Sequence, residues 1–274
     1  MPWFPDFVNA VALVRRQTRE AGQADPVAQY LAALSTGDSD RLETVWPGEV
    51  LILDPRAGEI RGHRQLRRFV HTNMRWLAEH GAQVETTATT CVQGRAVVEL
   101  MAYLDGGQVA WPVAVVAESP DESSVVFRSY CSQWPVDGRR HIRPPILTST
   151  AVLPGDAVGE FQAALSAGDA EALVNTFLPD GYYREPIGEH ATHRGVDELR
   201  SFFGTRFASR NGARGIQVQP CVVTDDAVRC VVEYSMVRWG AADLPPQAGL
   251  AVYERGNNGL LAAVRVYDDI EPPV

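Results

Sequence analysis

The stretch VAQYLAALSTGDSDRL, from Val27 to Leu42, occurs a second time as VGEFQAALSAGDAEAL, from Val158 to Leu173. Further matches follow downstream in the same order: RGHRQLRRF at 61–69 matches RGVDELRSF at 194–202, and VVE at 97–99 matches VVE at 231–233. The spacing between the two copies changes only at loops, so the pattern indicates a duplicated domain and not a short-period solenoid. We refer to the copies as the first and second repeats.

The sequence between the repeats is rich in proline, glycine and small polar residues, which is typical of a linker. We therefore predict an N-terminal helical extension over residues 1–24, a first domain over 25–137, a linker over 138–156 and a second domain over 157–274. The N-terminal segment has no basic start before its apolar stretch. This favours an amphipathic helix over a signal peptide.

Each repeat carries the same signals for secondary structure. In the first repeat, Asp25 and Pro26 mark the start of a helix, Gly37 marks its end, and a second short helix follows. An apolar strand then leads to a carboxylate, an arginine–glycine pair precedes a third helix, and β-branched segments separated by turns complete the repeat. The pattern predicts an α+β fold: two tandem cone-shaped α+β barrel domains, each with three helices packed on a curved antiparallel sheet.

Composition excludes several classes of function. The chain has 274 residues, 45% of them hydrophobic, and a formal charge of −9, which argues against nucleic acid or an anionic membrane surface as a partner. All 25 basic residues are arginine, so Schiff-base chemistry on lysine and the P-loop lysine are excluded. The four cysteines have no metal-site or disulfide spacing, which favours thiols of a cytoplasmic protein. We predict neither a metal nor a cofactor, and His63, His190 and His193 are expected to be exposed loop residues.

A carboxylate stands directly before a proline in each repeat, at Asp54-Pro55 and Glu185-Pro186. A carboxylate at the end of a strand that faces an apolar cavity loses hydration, and its proton affinity then rises towards the working pH, as a general base requires. The proline would stiffen the loop and hold the carboxylate in place. The alternative is a carboxylate that caps a turn or pairs at the surface.

The segments QYLAALSTGD followed by LDP, and FQAALSAGD followed by LPDGYYREPIGEHATHRG, resemble the ketosteroid isomerase and SnoaL-like superfamily, whose cone-shaped fold also occurs in nuclear transport factor 2 proteins. The resemblance covers approximately residues 27–137 and 158–273. It implies that Asp54 and Glu185 occupy the general-base position and that Tyr30 is the phenol donor, where the second repeat has Phe161. The family's second oxyanion donor is missing from both repeats, which argues against a strict steroid isomerase.

The same resemblance implies two further acids. Glu85 begins the strand after the third helix, where polyether-forming epoxide hydrolases of the superfamily carry a second acid, so Asp54 and Glu85 would form a base and acid pair. Asp268 lies on the last strand, where SnoaL-like cyclases use carboxylates. The alternative for Glu85 is a solvated strand end, and for Asp268, beside Asp269, it is surface charge.

Aromatic residues at matching positions are candidates for the cavity wall, with the hydrophobic core as the alternative use. The substrate-binding candidates are Trp46, Phe69, Trp111, Phe177, Tyr183 and Phe202. Glu99 and Glu233 alternate with apolar neighbours at matching strand positions. We expect them on the face where the repeats meet, with Arg128 and Arg265 as partners.

Two hypotheses follow. The first is a cofactor-free enzyme that uses carboxylate acid–base chemistry on a hydrophobic cyclic or polyketide-like molecule, by isomerisation, cyclisation or epoxide opening, with Asp54 and Tyr30 as the preferred centre and Glu185 as the second. The alternative is a non-catalytic module that binds a small molecule or acts as a scaffold. In both cases we expect the tandem repeats to form an intramolecular pseudo-dimer that is monomeric in solution.

Overall fold

The structure is a computed structural model that describes residue 23, residues 25–208 and residues 215–270. The predicted N-terminal helix lies outside the described residues, apart from Gln23. The chain divides into two compact units. The first unit runs up to Ala82 and also contains Gly94–Ala96 and Val115–Ser129; the second contains Gln83–Gln93, Val97–Ala114 and the chain from Tyr130 onwards.

The first helix begins and ends at the predicted capping residues. The Asp25 side chain accepts a hydrogen bond from the backbone nitrogen of Ala28 at 2.9 Å, and Gly37 ends the helix at a φ of 73°. Asp156 and Gly168 do the same in the second repeat. The helices are α1 Pro26–Thr36, α2 Asp40–Val45, α3 His63–Glu79, α4 Trp134–Asp137, α5 Ala157–Ala167, α6 Ala170–Val174 and α7 Gly195–Ala208.

Each repeat contributes a six-stranded sheet, and the two sheets have the same topology. The first has the order β2-β1-β6-β5-β4-β3 and the second the order β8-β7-β12-β11-β10-β9. The strands of the first sheet are β1 Val50–Asp54, β2 Gly58–Arg61, β3 Gln83–Val92, β4 Arg95–Leu104, β5 Val109–Glu118 and β6 Val125–Tyr130. Those of the second are β7 Phe177–Arg184, β8 Thr192–Arg194, β9 Ile216–Asp225, β10 Arg229–Trp239, β11 Ala242–Arg255 and β12 Leu261–Asp268.

The predicted fold of two tandem α+β domains is confirmed, with one correction to the strand directions. The pairs β1–β6 and β7–β12 are parallel, whereas a wholly antiparallel sheet was predicted. Parallel neighbours need a long crossover. Here the third helix and the three strands after it supply that connection, so the last strand of each repeat returns beside the first.

A buried ion pair lies within the second unit, on the face of β12 that points away from the helices of the second repeat. Glu99 and Arg265 are 1% and 6% exposed, and the Arg265 guanidinium donates two hydrogen bonds to the Glu99 carboxylate at 2.6 and 2.8 Å. The Tyr267 hydroxyl donates a third at 2.7 Å. Burial alone would raise the pKa of Glu99, but these donors hold it below its ordinary value. The predicted pairing of Glu99 with Arg265 is confirmed.

The core of the second repeat lies between its helices and its sheet. Phe161 on α5 packs edge-on against Phe177, Phe203 and Tyr253, with ring centroids 5.8, 6.3 and 5.5 Å away. This aromatic cluster fills part of the space that the helices enclose, and a cavity remains beside it.

Candidate functional site

The cavity of the second repeat opens to solvent, and together with its mouth it encloses about 680 Å³ of space free of protein atoms. Most of its wall is apolar and comes from α5 and the second sheet. The apolar wall residues include Phe161, Leu165, Ile216, Val218, Met236, Trp239, Ala251, Val264, Val266 and Ile270. The polar side chains that face it include Asp268, Tyr234, Glu185, Arg206 and Arg140.

Tyr234, Gly249 and Asp268 form a row across three neighbouring strands. Gly249 on β11 is paired with Tyr234 on β10 and with Asp268 on β12. A Cβ atom at Gly249 would lie 2.5 Å from the Tyr234 ring, so only glycine lets that ring cross β11. The Tyr234 hydroxyl then donates a hydrogen bond to Oδ2 of Asp268 at 2.6 Å.

Asp268 is buried, and its surroundings favour the protonated form. Burial raises its pKa, although the hydrogen bond from Tyr234 and the nearby charge of Arg140 act in the opposite direction. Burial and the neighbouring Asp268 raise the pKa of the Tyr234 hydroxyl well above its ordinary value, so this group stays a proton donor. Asp268 and Asp269 are 7% and 6% exposed, so the surface-charge alternative for Asp268 is wrong.

We predict that Tyr234→Phe moves the pKa of Asp268 further upward. The hydroxyl stabilises the charged carboxylate, and its loss leaves desolvation less opposed. Carbon-13 NMR titration of the Asp268 carboxyl carbon would measure this. Tyr182→Phe is the matched control, because the Tyr182 hydroxyl accepts a hydrogen bond from Arg265 and belongs to the buried ion-pair network. A pKa that falls or stays constant in Tyr234→Phe would contradict the assignment of this hydrogen bond.

Glu185 follows β7 and faces the same cavity. Two side chains hold its carboxylate in place, those of Arg206 and His193. Its Oε2 lies 2.6 Å from an Arg206 nitrogen and its Oε1 lies 3.2 Å from Nε2 of His193. The Arg206 guanidinium lies 4.6 Å above the Phe202 ring and 5.3 Å above the Trp239 ring, so two aromatic faces fix its direction.

The expectation of an exposed loop histidine is wrong for His193. Its ring stacks on Phe202 at a centroid distance of 3.9 Å and its side chain is 26% exposed. The residue lies in the short strand β8, which pairs with β7 and so brings it beside Glu185. His63 and His190 are exposed, as expected, but His63 is the first residue of α3 and does not lie in a loop.

The other predicted residues of the second repeat take different positions. Tyr183 lines the cavity, and burial raises the pKa of its hydroxyl. Phe202 supports it from outside, at a ring distance of 5.4 Å. Phe177 is 3% exposed and lies in the aromatic core without lining the cavity.

The predicted residues of the first repeat lie in a turn, in the core and on the surface. Asp54 is half-buried, and its Oδ1 accepts hydrogen bonds from the backbone nitrogens of Arg56 and Ala57 at 2.9 and 2.8 Å. Tyr30, Trp46 and Phe69 are buried, and Tyr30 stacks on Phe127 at 4.6 Å. Glu85 is exposed on β3, and Trp111 is buried and donates to the Ser132 carbonyl at 2.7 Å.

The polar row of the second repeat has no counterpart in the first. Alignment of the two repeats places Leu100 opposite Tyr234 and Cys131 opposite Asp268. Sequence reasoning missed Tyr234, Gly249, Arg206 and Arg140. The sequence did contain a signal for Tyr234. Glu233 is predicted to face the other repeat, and because side chains alternate along a strand, the next residue, Tyr234, must face the opposite side of the sheet.

Neither a metal-binding cluster nor a membrane-spanning helix occurs in residues 23, 25–208 and 215–270. No group of three or more histidine, cysteine, aspartate or glutamate side chains there has an arrangement that could hold a metal ion. Over the same described residues, no helix is both long and apolar enough to cross a membrane.

A family model described as SnoaL-like domain matches residues 27–127 and again residues 158–264. The chain belongs to the SnoaL-like family. The two matches correspond to the two repeats, so the family assignment covers both domains of this SnoaL-like protein. No curated protein matches the chain.

Solved structures give matches of about one repeat in length. A Sinorhizobium meliloti protein provisionally described as a polyketide cyclase is 23% identical, with 42% of this chain and 94% of that chain covered and a TM-score of 0.33. The epoxide hydrolase/cyclase-like enzyme SalBIII, of pyran ring formation in the polyether salinomycin, is 18% identical over 40% of this chain and 86% of its own, with a TM-score of 0.33. A protein with a ketosteroid isomerase-like fold from Catenulispora acidiphila, solved with trimethylamine, is 18% identical. The match covers 44% of this chain and 90% of that chain, with a TM-score of 0.35.

Proposed function

We propose that this SnoaL-like protein is a cofactor-free enzyme that binds a hydrophobic small molecule in the cavity of its second repeat and moves a proton with a buried carboxylate. One observation carries the proposal: Asp268 faces an open apolar cavity while Tyr234 donates to its Oδ2 at 2.6 Å. This arrangement suits isomerisation, cyclisation or epoxide opening of a cyclic or polyketide-like substrate.

Asp268 is the proposed general base. Loss of hydration raises its pKa, so its ionised form is a stronger base than an exposed aspartate. It would accept a proton from a carbon acid or a hydroxyl group of the bound molecule, while Tyr234 holds the carboxylate in position. Returning that proton at another atom of the substrate completes an isomerisation without a cofactor.

Glu185 and Arg206 are proposed to bind and polarise the substrate. The Glu185 carboxylate is already paired with Arg206 at 2.6 Å, so the two side chains form a preorganised charge pair on the wall. The same ion pair supports the second candidate function, a binding module without turnover, because it neutralises the carboxylate at the family's base position.

The uncharged carbon acid 5-nitrobenzisoxazole tests for a base in an apolar cavity, because proton removal opens its ring and releases a coloured phenolate. We expect saturable turnover by the wild-type chain. Asp54→Asn and Asp268→Asn assign the base to a repeat: loss of activity in Asp54→Asn alone would move the centre to the first repeat. Ligand binding without turnover would favour the binding module.

We also propose that the repeats form a pseudo-dimer within one chain. Two contacts within the second unit support this, since Glu99 of the first repeat pairs with Arg265 of the second, and the Tyr130 hydroxyl donates to Glu233 at 2.7 Å. Light scattering is expected to give the mass of a monomer. An obligate dimer would contradict the proposal.

A further inference from the structure

Arg140 brings a second positive charge to the cavity wall. It follows α4 and lines the cavity together with Asp268 and Ile270. Its Nη1 donates to the Ile270 carbonyl at 3.0 Å, and its guanidinium lies 5.9 Å from the Trp134 ring. Both contacts direct the guanidinium without neutralising its charge.

Asp269 fixes the segment that carries Arg140. Its buried carboxylate accepts hydrogen bonds from the Ser132 hydroxyl at 2.6 Å and from the backbone nitrogens of Gln133 and His141 at 3.0 and 2.7 Å. Because His141 is the next residue after Arg140, this clamp holds the backbone of Arg140 next to β12. A charge presented on a clamped segment loses little conformational freedom when it binds a ligand.

The two arginines on the cavity wall differ in their partners. Arg206 is paired with Glu185 at 2.6 Å. In residues 23, 25–208 and 215–270, no carboxylate lies within ion-pair distance of Arg140; Asp268 acts on it only at longer range. A guanidinium on an apolar wall is costly to desolvate unless an anion pairs with it. Because Arg140 has no such anion among the described residues, we expect the ligand to supply it.

We propose that the cavity selects an apolar molecule that carries one carboxylate, and that Arg140 binds this carboxylate. The inference rests on the proposed function in one respect only, namely that the cavity holds a ligand. Arg140 would orient the molecule so that its apolar body lies against Val264, Val266 and Trp239 and its reacting atom lies near Asp268. The rival role for Arg140 is that of a long-range counter-charge for Asp268.

Binding of 2-naphthoate and of its uncharged analogue 2-naphthamide, measured by isothermal titration calorimetry near neutral pH, tests the proposal. The wild-type chain is expected to bind the acid about tenfold or more tightly than the amide, the usual gain of a hydrogen bond to a charged group. Arg140→Gln should remove this preference and leave the affinity for the amide unchanged. Arg139→Gln is the matched control, since Arg139 is the exposed neighbour on the same segment and does not line the cavity.

Equal affinity for the two probes in the wild type, an acid preference that persists in Arg140→Gln, or no binding of either probe would overturn the proposal. A shifted pH profile with an unchanged preference in Arg140→Gln would assign it the counter-charge role instead. Turnover of 5-nitrobenzisoxazole without a preference for the acid would leave the proposed function standing and this inference refuted. If the acid is preferred through Arg140 but 5-nitrobenzisoxazole is not turned over, this inference would stand and the proposed function would be refuted.

Discussion

Replacing Asp268 with asparagine is expected to slow proton removal from 5-nitrobenzisoxazole by about a hundredfold or more, the usual contribution of a positioned general base. Asparagine keeps the size of the side chain and can still accept the Tyr234 hydrogen bond, but it cannot take up a proton. The Michaelis constant should change little, because the apolar wall that binds the probe is intact. Steady-state kinetics gives both quantities.

The pH dependence provides an independent check on Asp268. Only its ionised form is a base, and burial raises its pKa, so the wild-type rate should climb with pH through a value above that of an ordinary aspartate. This increase in rate with pH should be absent in Asp268→Asn. Asp197→Asn serves as the control, because Asp197 is a fully exposed carboxylate of the same repeat. Equal rates in wild type and Asp268→Asn would remove Asp268 from the mechanism.

Glu99→Gln is expected to lower the free energy of unfolding by about 3–5 kcal/mol, because it removes the buried charged partner of Arg265 and leaves only the partly exposed Glu254. Glutamine keeps the shape and one acceptor oxygen but not the charge that offsets the desolvation of the guanidinium. Urea denaturation followed by circular dichroism at neutral pH measures the difference. Glu254→Gln is the matched control: Glu254 also contacts Arg265, at 3.0 Å, but is 31% exposed, so its loss should cost less than about 1 kcal/mol.

The sign of the pH effect distinguishes this ion pair from simple packing. The folded-state pKa of Glu99 is lowered, so its contribution is present above the ordinary carboxylate value and disappears as pH falls through the folded-state pKa. The difference in unfolding free energy between wild type and Glu99→Gln should therefore shrink in acid. A difference that is constant from neutral to acidic pH would indicate a packing defect instead.

The fold could be predicted from the sequence because its signals are local and occur twice. Asp25, Pro26 and Gly37 mark the first helix, and Asp156 and Gly168 repeat the pattern, so each copy supports the interpretation of the other. The parallel pairing of β1 with β6 was missed. No local pattern reports which distant strand returns beside the first.

The candidate site was harder to predict because it depends on what covers each strand end. Two adjacent aspartates at the end of a strand look like surface charge, but the segment 132–141 packs over Asp269 and buries it. The hydroxyl partner of Asp268 depends on a glycine on the intervening strand, since Gly249 lets Tyr234 reach across. The Asp54 and Glu185 motifs are equivalent in sequence, yet only Glu185 faces the described cavity.

The pairing of Glu99 with Arg265 also limits how the protein could be dissected or reduced in evolution. The linker is also bound to the second repeat, because the Ser149 hydroxyl and the Ala151 nitrogen donate hydrogen bonds to the Pro220 carbonyl on β9. A protease cut there would nick the polypeptide without releasing a free half. A gene truncated to its C-terminal copy would leave Arg265 with Glu254 but without Glu99, so the duplication, once fixed, has become difficult to reverse.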